Sequence, residues 1–231
     1  MTADPSDVAT LRIACEHLLS NTSFADHVPE GYQSVPLCAI DAIYSIGVRY
    51  EGVVNVIERY KAYWRAQGTN ADSQTHCTRD FLEEFAQRTD LADSLFDNRQ
   101  RTSSRGGILK ADAVVQLLEI LGSPPFDIQT TQQLRDHFDD EDLDGAIRAV
   151  RGQGSGISAK YLFLLAGVDD AVKPDRMIVR FISSTIAKRV TPLEAQSLLV
   201  AASKDLRTEY PALTPRVLDH AIWHVQRGKT A

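Results

Sequence analysis

Apolar residues recur along this chain at helical spacing almost without interruption, and polar residues fill the positions between them. The stretch SDVATLRIACEHLLS brings Val8, Leu11, Ile13, Leu18 and Leu19 near one face of a helix, with Ser6 or Asp7 as its N-cap. VPLCAIDAIYSIGVRYEGVVNVIERYKAYW predicts two helices or one bent helix, because Gly47 and Gly52 weaken its middle. TRDFLEEFAQR opens with Thr78 and Asp80 ahead of an apolar pair, a helix start. ILKADAVVQLLEILG is expected to end at Gly122 as a C′ glycine, followed by Pro124 and Pro125. TTQQLRDHF and DLDGAIRAV predict short helices, and ISAKYLFLLAG predicts one that ends at Gly167. DRMIVRFISSTIAKR, TPLEAQSLLVAASKDL and TPRVLDHAIWHVQRG complete the chain. The last two begin Thr-Pro, an N-cap followed by proline at the first helical position. Residues 22–36 and 92–107 are the expected long loops. No alternating β-branched run is long enough to found a sheet, so the expected fold class is all-α.

A length of 231 residues suffices for one large domain or two small lobes with a real core. Hydrophobic content of 43% and charged content of 24% are ordinary for a globular protein. No apolar run approaches the roughly 18 residues of a membrane helix. MTADPSDVAT is acidic, without the basic and apolar regions of a secretory signal, so a cytoplasmic protein is expected. Cys15, Cys38 and Cys77 are far apart and form no C-x-x-C pair, which excludes a zinc ribbon or four-cysteine iron–sulfur site built from them alone. His220 and His224 stand at i, i+4 but lack a third metal ligand nearby.

The net charge of −6 argues mildly against a nucleic-acid partner, yet the charge is unevenly distributed. Between residues 145 and 190, eight basic side chains (Arg148, Arg151, Lys160, Lys173, Arg176, Arg180, Lys188, Arg189) face three acids, Asp169, Asp170 and Asp175. Just before that window, DHFDDEDLD at 136–144 holds six acids in nine residues.

The basic window contains AIRAVRGQGSGISAKYLFLLAG, in which a short amphipathic helix runs into Gly152, Gly154 and Gly156 before a second helix begins. Glycine removes Cβ and permits positive φ, so backbone can press against a flat surface. The free N–H groups and positive dipole end of the second helix point into the turn. With Arg151 and Lys160 beside it, such a turn suits a phosphate backbone. The same residues also suit a tight corner between two helices, with glycines serving packing alone. Further on, Pro174 precedes Asp175, which stands directly before DRMIVRFI as an N-cap. A carboxylate there is also placed to face a reacting sugar.

Gly154, Gly156 and Ala159, followed at family spacing by Asp175, Ile178 and Arg180, resemble the signature of the helix-hairpin-helix DNA glycosylases. That superfamily includes endonuclease III, adenine glycosylase and alkyladenine glycosylases. Lys110-Ala111 in GGILKADAVVQLLEIL resembles the Lys-Ala of another family helix, and CAIDAIYSIGVRYEGVVNVIERY matches its early helix pair in position and length. The likeness spans roughly residues 37–190. It implies a two-lobed helical bundle with a helix-hairpin-helix at about 145–167 and an active-site cleft between the lobes. The implied organisation is an N-terminal helix (1–36) packing with the C-terminal lobe, a central lobe (37–172) and C-terminal helices (173–231).

The resemblance also implies roles. Arg151, Gly152, Gly154, Gly156, Ser158 and Lys160 would contact double-stranded DNA, with Na+ or K+ on the hairpin carbonyls as the one metal. Asp175 would be the catalytic carboxylate, stabilising an oxocarbenium-like sugar and orienting water while a modified base sits flipped out of the stack. Ser158 stands where bifunctional members carry the lysine that forms a Schiff base, so the expected enzyme is monofunctional, without lyase activity. The family's iron–sulfur cysteines are absent. Tyr44, Tyr50 and Trp223 are candidates for stacking on the base, with core packing as the alternative use of each. The chain offers one evident carboxylate, which favours a cationic leaving group such as an alkylated purine. The expected protein is a monomer, associated with the nucleoid when bound to DNA. A non-catalytic DNA-binding or lesion-sensing protein is the alternative, and a helical protein-interaction domain a third reading.

Overall fold

The computed structural model describes residues 3–20, 29–48 and 50–228. Twelve α-helices and no strand occur among them, so the chain is all-α; a single isolated bridge joins Arg101 and Leu109. The chain divides into two compact units: Met1–Glu30 with Gly167–Ala231, and Gly31–Ala166. Residues 167–172 therefore belong with the C-terminal helices. No helix among the described residues is long and apolar enough to cross a membrane.

The central unit is built around α2 (Val35–Tyr44), all ten residues of which are buried. The run VPLCAIDAIY is apolar nearly all round, and such a helix has no face to offer water. Ser45–Val48 separates it from α3 (Tyr50–Ala66), so the ambiguous stretch resolves into two helices. The chain continues through α4 (Thr78–Phe85), α5 (Leu91–Ser94), α6 (Lys110–Gly122), α7 (Thr131–Asp136), α8 (Glu141–Ala149) and α9 (Ile157–Leu165). Helices α3, α4, α6 and α9 pack around α2. Tyr60, Phe81 and Phe85 close one side of the core, with the Tyr60 hydroxyl 2.7 Å from His76 Nε2. Lys110, only 1% exposed, donates from Nζ to the carbonyls of Tyr44 (2.9 Å) and Ile46 (2.8 Å). An ammonium thus satisfies acceptors at the end of α2 and ties α6 to it.

Gly122 does not end α6 as a left-handed C′ residue; it is the last helical residue, with Ser123 as the C-cap. Its use is close packing. A Cβ there would lie 2.9 Å from both Leu82 Cδ1 and Thr78 Cγ2 on α4. Gly167, by contrast, has φ of +92° just past α9, as a C′ glycine requires.

The second unit comprises α1 (Pro5–Ser20), α10 (Arg176–Thr185), α11 (Pro192–Leu206) and α12 (Pro215–Gly228). Helix α1 buries Val8, Leu11, Cys15 and Leu19, mainly against α11. Ile13 was expected on that face but is 61% exposed. Two residues from Leu11 is about 200° around the helix, which carries it off the stripe. The helix begins at Pro5, and Asp4 rather than Ser6 or Asp7 caps it, accepting the Ser6 N–H at 2.9 Å. Thr191 forms a capping box with Glu194, and Thr214 Oγ1 accepts from Val217 N at 3.3 Å, as the Thr-Pro pairs predict. The expected loop at 22–36 lies partly outside the described residues, at 22–28.

Candidate nucleic-acid interface

Helix α8 carries the acidic run at one end and leads into the glycine turn at the other. Asp140 caps it by accepting Leu143 N–H at 3.0 Å, and Glu141, Asp142 and Asp144 occupy its first turn. Acids there complement the positive end of the helix dipole. Glu141 and Asp142, eight to nine residues before Val150 at 1.5 Å each, lie about 12–13 Å from the turn, whereas Asp144 pairs with Arg148 beside it.

The turn proper begins at the C-cap Val150 and ends at Gly156, the left-handed N-cap of α9 with φ of +73°. Two backbone bonds shape it, Gln153 N–H to Val150 O and Gly156 N–H to Gln153 O, both 2.9 Å. Gly156 is constrained twice. Its φ disfavours a side chain, and a Cβ would lie 2.2 Å from a guanidinium nitrogen of Arg148, itself paired with Asp144 at 2.9 Å. Gly152 abuts Thr102 of the 95–109 loop, so that loop buttresses the turn. Gly154 is different. It is exposed, its φ is not positive, and a Cβ added to it meets nothing within 4 Å.

Among the predicted contacts, Arg151, Gly152 and Gly154 are exposed, Lys160 is half-buried with its Nζ 5.8 Å over the Phe138 ring, and Gly156 and Ser158 are buried. The first turn of α9 orients the N–H groups of Ile157, Ser158 and Ala159 toward the glycine turn, and Ser155 Oγ takes that of Ile157 at 3.4 Å. Both amide atoms of Gln153 in the turn and the Ser158 hydroxyl on α9 are buried without a hydrogen-bond partner among the described residues. Nothing in the local sequence marks Gln153, between Gly152 and Gly154, as a buried residue.

In the other unit, Asp175 is the N-cap of α10, as its position after Pro174 predicts. Its Oδ1 accepts both Met177 N–H (2.7 Å) and Ile178 N–H (3.3 Å), and Oδ2 has no donor among the described residues. Asp219 on α12, 6% exposed, accepts the Lys173 N–H at 2.9 Å. Burial, and next the nearby charge of Asp175 working against the Lys173 hydrogen bond, hold its carboxyl far above the usual range, at about 8. The segment that presents Asp175 is therefore anchored by a second acid that stays protonated. The signal was an aspartate inside the apolar pattern of RVLDHAIWHV.

Of the stacking candidates, Tyr44 is 1% exposed, its ring 5.2 Å from that of Phe96. It is a core residue and presents no open face. Trp223 is half-buried, stacked on His220 at 6.1 Å and covered by the Arg227 guanidinium at 5.1 Å. Tyr50 is half-buried and its hydroxyl donates to Asp41 at 3.2 Å. No group of three or more potential metal ligands among His, Cys, Asp and Glu occurs in the described residues.

These features define an all-α protein of two helical units, one presenting a glycine-rich turn and the other a capped aspartate. The chain belongs to the family described as a domain of unknown function, DUF8548, which matches residues 9–227. No curated protein and no solved structure matches it.

Proposed function

We propose that this protein is a monofunctional DNA N-glycosylase, a hydrolase of the bond between a modified base and its sugar. Two observations, one in each unit, support the reading: a spare carboxylate oxygen, and a glycine that its surroundings do not require. Asp175 is held rigidly through Oδ1 alone, so Oδ2 remains to stabilise cationic charge on a sugar or to orient water. Gly154 has neither positive φ nor a neighbour that excludes a side chain, and close approach of a phosphate backbone supplies the reason for it.

Arg151 and the N–H groups at the start of α9 grip phosphate. Gln153 Oε1, buried and without a hydrogen-bond partner among the described residues, joins the hairpin carbonyls as donors suited to a monovalent cation, whose chemistry is to offset phosphate charge. Ser158, buried and without an amine, supports hydrolysis rather than Schiff-base chemistry.

Base release from duplexes carrying single lesions, wild type beside Asp175→Asn, tests the reading. Asparagine retains an oxygen to cap α10 but lacks the charge. Release by the wild type alone, with equal duplex binding by both, is the expected result. Equal release by the variant removes Asp175 from the chemistry. Salt-sensitive binding with no release from any lesion leaves a non-catalytic DNA sensor.

A further inference from the structure

Residues 171–175, which belong to no helix, lead the chain into α10, and all their neighbours named below lie in the same unit. Ala171 and Val172 are fully buried. At Lys173 both backbone groups are engaged. Its N–H donates to Asp219 Oδ2 of α12 at 2.9 Å, and its carbonyl accepts the Asp175 N–H at 2.7 Å. A bond from i+2 back to i, with Pro174 between holding its φ, makes Lys173–Asp175 a three-residue turn. One helical turn before Asp219, Arg216 N–H donates to Asp169 O at 3.0 Å. Helix α12 therefore holds the connection at two points, Asp169 and Lys173. Asp175 Oδ1 is set in turn by Met177 and Ile178, so the direction of Oδ2 depends on the path of the three-residue turn.

Asp219 is 6% exposed, and the donor that meets it among the described residues is the Lys173 N–H. A buried carboxylate needs several donors or a cation; an uncharged acid needs fewer. Burial first, and then the charge of Asp175, raise the Asp219 carboxyl to about 8, so below that pH the acid holding Lys173 is uncharged. Helix α10 brings Asp175 at its start and Arg180, which is bonded to Gln226. Helices α1 and α11 reach α12 through the apolar core, where Cys15 is the titratable group and its thiol is held up at about 12. His220, beside Asp219 on α12, stacks on Trp223.

We infer that Asp219 is a positioning residue for Asp175: from α12 it fixes the turn that leads into α10, and with it the direction of the Asp175 carboxylate. A charge on Asp219 undoes this, because a buried carboxylate with so few donors draws in water and loosens the turn. That the positioned carboxylate acts on a sugar rests on the glycosylase reading; that it is positioned does not.

Two variants of the full chain test it: Asp219→Asn, which keeps an uncharged acceptor for the Lys173 N–H, and Asp219→Ala, which removes it. Exchange of the Met177 and Ile178 amides, followed by NMR and taken relative to the intrinsic rate, reads the cap. In Asp219→Ala their protection should fall ~10-fold or more while that of α11 stays as in the wild type. Asp219→Asn should match the wild type. As the pH is raised through about 8, the wild type should lose protection at these amides and Asp219→Asn should keep it. Single-turnover base release at saturating duplex should follow the same pattern, ~10-fold or more slower in Asp219→Ala at unchanged duplex affinity. Release by the wild type should also fall above pH of about 8, and release by Asp219→Asn should not. Undiminished protection of Met177 and Ile178 in Asp219→Ala overturns the inference. So does a loss shared equally by α11, which marks a merely structural acid, or an Asp219→Asn that is no better than Asp219→Ala. If Asp219→Ala does not fold, the pH series of the wild type beside Asp219→Asn decides, and identical series overturn the inference. The expected amide behaviour without base release from any duplex would sink the glycosylase reading and leave the positioning standing. Base release by a protein whose cap is indifferent to Asp219 would do the reverse.

Discussion

Asp175 and Asp219 are one carboxylate engaged through a single oxygen and one buried acid, 44 residues apart in the chain yet acting on the same short segment. Their environments predict separable behaviours. Asp219 is raised from its ordinary 3.8 to about 8, so the folded state holds a proton that the unfolded state releases. Stability from this group is complete below 3.8 and is lost as the pH rises through about 8. Urea denaturation across that range should show wild-type stability falling by on the order of a few kcal/mol. In Asp219→Asn, which cannot ionise, that slope should vanish. Identical pH profiles would mean that water reaches the buried acid. At Asp175 the cap itself can be isolated. Asp175→Ala removes the acceptor for Met177 and Ile178 and should cost about 1 kcal/mol, whereas Asp175→Asn should cost little. Calorimetric melting of the two variants checks this independently of any activity.

At the scale of elements, the glycine turn between α8 and α9 separates two uses of one residue type. Gly156→Ala meets a left-handed φ and the Arg148 guanidinium, and should destabilise by roughly 1–3 kcal/mol. Gly154→Ala meets open space and should leave the unfolding free energy within about 0.5 kcal/mol of wild type. On the DNA reading it should nonetheless weaken duplex binding, because a methyl group stands where phosphate approaches. Unchanged binding by Gly154→Ala would leave the turn as a corner and nothing more. The starts of α10, α11 and α12 were legible in the sequence because caps are local: Asp175, Thr191 and Thr214 each act on an N–H two or three residues away. Gly122 was misjudged because its reason, the approach of Thr78 and Leu82, comes from another helix.

For the molecule as a whole, a net charge of −6 means that any grip on DNA must come from a local patch. Binding should fall steeply with salt, and Arg151→Ala should reduce both affinity and the salt slope. A salt-insensitive interaction would favour a protein partner. On the glycosylase reading, borohydride should not trap the chain on DNA, because Ser158 stands where the resemblance would put a Schiff-base lysine; efficient trapping would point to an amine elsewhere, Lys173 first.

The all-α class, most helix boundaries and the capped Asp175 follow from sequence alone, since each depends on periodicity or on groups within one turn of one another. The glycine turn was also visible as a motif. Which of its glycines the fold demands was not, because Thr102 and Arg148 decide that from outside it. Tyr44 and Tyr50, six residues apart and alike on paper, part company in the fold: one ring is walled in by Phe96, the other reaches Asp41. Asp41 and Asp219 stood in the sequence as single acids within apolar runs. Only tertiary structure could bury them, assemble hydroxyls around the first and set the second behind Asp175. The cost of a buried charge depends on every neighbour within several ångströms, and those neighbours come from helices distant in the chain.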